Sequence, residues 1–156
     1  MESGSELLRL LNEFNRNGVR YTTVGGFAVN HYGYSRTTAD VDMYLEDTEE
    51  NRKKSIDALE QLGYGRMDIF LTTPILPGYC EIMMDDGMCL DLMTNIRGLD
   101  AKDFNEQYYR RTTSEVDGVE IHYIGYHDLL KNKKDTGTTK AKWCGILLKL
   151  VLHIPW

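Results

Sequence analysis

Asp40 and Asp42 occupy alternate positions of the run Asp40-Val41-Asp42-Met43-Tyr44-Leu45. Alternate side chains of a strand share a face, so the two carboxylates would project from one side while Val41, Met43 and Leu45 turn to the other, toward a core. Carboxylates held side by side repel and lose solvation, a cost that a cation between them removes. Oxygen donors select a hard ion. Mg²⁺, or Mn²⁺ in its place, keeps several waters and can hold substrate phosphates at the same time. Upstream, Val24-Gly25-Gly26 ends a short apolar run with a glycine pair. Glycines at a strand-to-helix turn let a phosphate approach the backbone, and the start of the helix presents N–H groups to the anion. The stretch from Val24 to Leu45 therefore reads as a phosphate and metal site, with Asp40 and Asp42 as ligands and the backbone of Gly25 and Gly26 as the cradle.

Other candidates are weaker on their own. Arg36, on the loop before Asp40, could reach phosphate oxygens bidentately or could stand in solvent. In Cys89-Leu90-Asp91-Leu92-Met93 the aspartate shares a face with Cys89 and Met93, which alone would mark an exposed face. Glu81, on the preceding arm, is its rival but lacks the flanking match that Leu90 and Leu92 give Asp91. Lys133 and Lys140 read as solvated helix charges unless phosphate brings them in. Histidines 31, 122, 127 and 153 show no ligand spacing, and Tyr32 and Tyr34 near the glycine pair are packing residues by default, with base stacking the alternative.

The elements that would carry these residues follow from periodicity. Ser5 caps a first helix whose Leu7, Leu8, Leu10, Leu11 and Phe14 recur at helical spacing until Asn17-Gly18. Val19 to Val24 is a strand, Phe27 to Tyr32 a turn or two of helix, and Asp40 to Leu45 the carboxylate strand. Asp47 or Thr48 caps a helix with Ile56, Leu59 and Leu62 buried and Gly63 as its stop. Asp68 to Thr73 could be a strand, although Pro74 and Pro77 exclude a long central one. Tyr79 to Met84 and Met88 to Thr94 form a hairpin about Asp85-Asp86-Gly87. Phe104 to Arg111 is a short helix. A second hairpin turns at Asp117-Gly118, its alternation pointing Glu120 and His122 to solvent. A helix begins at Tyr126 with Asp128 near its positive end, and a last one would bury Trp143, Ile146, Leu147, Leu150 and Val151.

The 156 residues suffice for one domain with a real core. A net charge of −6 lacks the basic footprint of a non-specific nucleic-acid binder. No apolar run approaches the roughly 20 residues that span a bilayer, and the acidic N-terminus is unlike a signal peptide, so a cytoplasmic protein is expected. Three cysteines without a CxxC pair fit reduced, buried thiols.

Gly25-Gly26, residues 27–39 and then Asp40-Val41-Asp42, with Arg36 and Thr38 ahead of the aspartates, resembles the active-site signature of the nucleotidyltransferase superfamily related to DNA polymerase β. The nearer likeness is to small bacterial AbiEii-type proteins and minimal nucleotidyltransferases. The resemblance implies an α/β fold: one domain over residues 1–156, a small mixed sheet with helices packed on one face, and the carboxylates on the open side. It implies transfer of a nucleoside monophosphate from an NTP to an acceptor hydroxyl on a small molecule, protein or RNA. Asp40 and Asp42 would then ligate both ions. Asp91 would be the third carboxylate, completing one shell and helping to deprotonate the acceptor, and Gly25, Gly26, Arg36, Lys133 and Lys140 would hold the NTP. Later in the chain His127-Asp128-Leu129-Leu130, Lys133, Gly137 and Lys140 match, Thr138 stands where arginine is usual, and Ala141 replaces an aspartate. The rival reading is a catalytically degenerate binding protein of a toxin–antitoxin-type pair. A two-metal phosphohydrolase would share the carboxylates without the usual His-rich ligation. The acceptor pocket of so small a domain would be shallow, to be completed by a second copy or a partner.

Overall fold

A computed structural model describes residues 3–34 and 37–136. Arg36, Thr138, Lys140 and the expected last helix with Trp143 and Leu147 lie outside the described residues. The elements run α1 Ser3–Arg16, β1 Tyr21–Val24, α2 Gly25–His31, β2 Asp40–Leu45, α3 Glu49–Gln61, β3 Cys80–Met83 and β4 Cys89–Met93. Then come α4 Phe104–Tyr109, β5 Thr112–Val116, β6 Val119–Tyr123 and α5 Tyr126–Thr136. The first helix starts at Ser3, ahead of the Ser5 cap that the sequence suggests. Thr48 caps α3 as expected, its hydroxyl accepting from the Asn51 N–H at 3.1 Å. Where a strand was possible over 68–73 the chain makes only a 3₁₀ turn, Asp68–Phe70, and Ile69 is exposed.

The strands form one mixed sheet in the order β3-β4-β2-β1-β6-β5. β1 and β2 are antiparallel, β4 lies parallel to β2, β6 lies parallel to β1, and the hairpins β3/β4 and β5/β6 close the two edges. This is the mixed α/β architecture that the pattern of elements and the resemblance imply. Leu7, Leu10, Leu11 and Phe14 of α1 are buried, and Val41, Met43 and Leu45 on one face of β2 are buried with them. Tyr44, of the opposite parity, packs edge-on to Phe104 of α4 at 5.1 Å. One face of the sheet is thus covered by apolar packing, and α4 covers the other at its Tyr44 end.

His122 departs from the expected solvent-facing position: it is buried, between Tyr21 at 5.2 Å and Tyr108 at 6.0 Å, with Nδ1 hydrogen-bonded to the Thr113 hydroxyl at 2.9 Å. Alternation places it opposite Ile121 and Tyr123, but β6 is an interior strand and α4 covers that face through Tyr108. Burial lowers its pKa, so the neutral ring is favoured.

Candidate active site

The parallel pairing of β2 with β4 builds the site. Its register sets Asp42 opposite Asp91 and Asp40 opposite Cys89, and the antiparallel pairing of β3 with β4 sets Glu81 opposite Asp91. Residues paired across a sheet share a face, so Asp40, Asp42, Asp91 and Glu81 all stand on the side away from Val41 and Leu90. Glu81 and Asp91, alternatives in the sequence, are neighbours in the fold. Asp40 and Glu81 are exposed, whereas Asp42 and Asp91 are partly buried.

Each of the inner pair has a backbone neighbour. Gly25 sits at φ +64°, and a Cβ there would stand 2.1 Å from Oδ2 of Asp42, so only glycine leaves room for this carboxylate against the β1–α2 junction. Gly26 is buried against Thr38, whose hydroxyl donates to the Asp40 carbonyl at 3.1 Å and so ties the loop end to the start of β2. Both oxygens of Asp91 accept from the Gly78 N–H at 3.2 Å. That amide is delivered by a loop strapped along β4: Ile75 N–H donates to the Thr94 hydroxyl at 2.8 Å, and Thr94 N–H donates to the Ile75 carbonyl at 2.7 Å.

Burial pushes the Asp91 carboxyl up to about 6; the Gly78 N–H opposes this, and Asp42, Glu81 and Asp40 add to it by like-charge repulsion. Oxygen donors on a half-buried face under mutual repulsion fit a hard divalent cation, and Asp40, Asp42 and Asp91 are the residues that could hold one. As the side chains stand, no three His, Cys, Asp or Glu among the described residues are gathered closely enough to form a shell, Asp91 being engaged by Gly78.

Asp42 also lines a cavity of about 290 Å³. It is lined by Val24, Gly25 and Asp42, by Pro77, Met93, Ile96 and Arg97, and by Asn132, Lys133 and Thr136 of α5. Lys133 therefore faces the same space as Gly25 and Asp42. Arg97 and Asn132 were not singled out in the sequence; nothing local separates Arg97 from other surface arginines, and its position comes from the tertiary approach of its loop to α5. The lining combines a carboxylate, a glycine turn and two cationic side chains, as binding a phosphorylated, metal-bound ligand would need.

Residues 3–147 match the family described as nucleotidyl transferase of unknown function (DUF2204). Among curated proteins none matches the chain in sequence. Among solved structures, the fold is similar to TM1012 of Thermotoga maritima, described as a nucleotidyltransferase, with a TM-score of 0.62 at 15% identity over 98% of this chain and 96% of that one. It is similar to the lincosamide antibiotic adenylyltransferase LnuA, solved with lincomycin, with a TM-score of 0.60 at 17% identity over 96% and 98% of the two chains. The antibiotic-resistance factor ANT(2'')-Ia gives a TM-score of 0.60 at 15% identity over 97% and 86%. The family match spans nearly the whole chain and the sheet carries the fold of these enzymes, so the protein belongs to the DUF2204 family of nucleotidyltransferases.

Proposed function

We propose that the protein transfers a nucleoside monophosphate from an NTP to an acceptor hydroxyl, with Mg²⁺ or Mn²⁺ held by Asp40, Asp42 and Asp91. The observation that carries the reading is the register of β2 against β4, which pairs Asp42 with Asp91, Asp42 itself lining a cavity together with Gly25. Bound there, the cation supplies neutralisation of phosphate charge and alignment of the reacting oxygens. The chain supplies the rest. The backbone at Gly25 and Gly26 and the Lys133 ammonium hold the terminal phosphates, with Arg36 and Lys140 as further cations. Asp91 takes the proton of the acceptor hydroxyl on Oδ1 or Oδ2 as the bond to phosphorus forms and pyrophosphate departs. Positioning and electrostatics provide most of the rate in such chemistry.

The acceptor is proposed to be a small molecule. The net charge of −6 does not favour RNA, and the chain matches over nearly its whole length LnuA, which acts on a small antibiotic. Mass spectrometry of hydroxyl compounds, proteins and tRNA after incubation with labelled NTP and Mg²⁺ is the direct test. Label on a small molecule supports the full reading, label on a macromolecule changes the acceptor, release of free monophosphate indicates hydrolysis, and silence favours the non-catalytic binding protein. Asp42→Ala should retain the fold, since it relieves a repelling pair, yet lose the thermal stabilisation that Mg-NTP gives the wild type. Equal stabilisation of both would show that Asp42 holds no metal.

A further inference from the structure

Among the described residues, arginines are almost all engaged. Arg9, Arg16, Arg20, Arg52, Arg66 and Arg110 each pair with a carboxylate, and Arg111 lies over the Tyr108 ring at 3.8 Å. Arg97 alone of them has no partner for its guanidinium among the described residues, although it lines the cavity beside Asp42, Gly25 and Lys133. A guanidinium that lines a cavity and pairs with no anion among the described residues is suited to a planar, bidentate oxyanion supplied from outside.

Its backbone is fixed as a binding residue requires. The Asn132 side-chain N–H donates to the Arg97 carbonyl at 2.9 Å. The next residue, Gly98, lies at φ +84° with the Lys131 carbonyl 2.8 Å from where a Cβ would stand, an approach only glycine allows. Two contacts thus pin this loop to α5, and the exposed side chain starts from a set position. Holding the donor in place before the ligand arrives lowers the ordering cost of binding.

We propose that Arg97 is the residue by which this site selects a nucleoside triphosphate over a monophosphate, its guanidinium taking the terminal phosphates together with Lys133. The inference rests on the nucleotidyl-transfer reading but is separable from it. Asp42 marks the metal side of the reaction; Arg97, its backbone held by Asn132 next to Lys133, lines the same cavity together with the lysine proposed for the phosphates farther from the reacting centre.

The test is calorimetric titration of the full chain with ATP, GTP, CTP and UTP, the four monophosphates and inorganic tripolyphosphate, all with Mg²⁺, for wild type, Arg97→Ala and Arg97→Lys. Because Asn132 binds the main-chain carbonyl and the side chain is exposed, the melting temperature of Arg97→Ala should match that of the wild type. Its affinity for the preferred triphosphate and for tripolyphosphate should fall on the order of 10- to 100-fold, the worth of a charge-assisted hydrogen-bond pair, while monophosphate affinity stays constant. Arg97→Lys should fall between. Triphosphate binding by Arg97→Ala equal to wild type, or an equal loss for monophosphate, overturns the assignment and leaves the transfer reading standing. A wild type that binds no triphosphate overturns both.

Discussion

At Asp91 a single carboxyl records how the site is charged. Its pKa of about 6, against an ordinary 3.8, comes first from burial and then from Asp42, Glu81 and Asp40 on the same face. Raised above its unfolded value, the group binds more protons in the folded chain than in the unfolded one between those two limits. Its contribution is therefore most favourable below pH 4 and is lost as pH rises through 6. In the metal-free protein, the urea stability of the wild type should fall relative to Asp91→Asn between pH 4 and pH 7, by at most about 3 kcal/mol and less as solvent screens the charge. Parallel profiles for the two proteins would show that Asp91 is not under this strain. Much of this residue-level picture is legible in the chain: the Asp40/Asp42 parity and the glycine pair announce carboxylates and a close approach. Arg97 is not legible, because an arginine without an anion becomes visible only once every neighbouring acid has been placed in space.

At the scale of elements, hairpins and caps follow from local signals, since Asp85-Asp86-Gly87 and Thr48 act within a few residues of themselves. The pairing of β2 with β4 does not, because residues from different parts of the chain meet there by tertiary choice, and it is this pairing that turns Glu81 from a rival of Asp91 into its neighbour. His122 fails for a similar reason: alternation gives parity within a strand and is blind to a helix arriving from elsewhere. The 71–79 segment, with two prolines, is another non-local element, a strap whose ordered purpose rests on Thr94. That hydroxyl is fully buried, accepts from Ile75 N–H and donates back to the Ile75 carbonyl at 3.3 Å. Thr94→Val keeps the shape and leaves the Ile75 N–H unpaired, at a cost of about 1–3 kcal/mol. Amide exchange at Gly78 should then quicken as the strap loosens over Asp91. Unchanged protection at Gly78 would mean that its bond to Asp91 holds the loop without help from Thr94.

For the whole molecule, α5 has to be kept in register with the sheet whose Asp42 shares the cavity with it. Asp128, in the first turn of α5, is buried and accepts from Arg110 at both oxygens, Nε at 3.0 Å and Nη2 at 2.9 Å. Arg110 follows α4, the helix that packs on Tyr44 through Phe104, so this fork joins α5 to the roof over the carboxylate strand. The same helix then carries Asn132, Lys133 and Thr136 to the cavity about one to two turns on. Removing the guanidinium strands a buried carboxylate, which outweighs the small worth of the pair itself; because Arg110 is half exposed and water can enter, the loss should be about 1–2 kcal/mol. Arg110→Ala touches none of the cavity-lining residues. If α5 is held as a rigid wall, its Mg-NTP affinity should nonetheless weaken several-fold, since a shift of about 1 Å in a supporting element costs binding geometry. Urea denaturation and Mg-NTP titration of the same variant separate the two effects. Lost stability with unchanged affinity would make the fork a purely structural clamp, whereas lost affinity that the second substitution Asp128→Ala restores would show that the stranded charge, and not the missing guanidinium, displaces the helix.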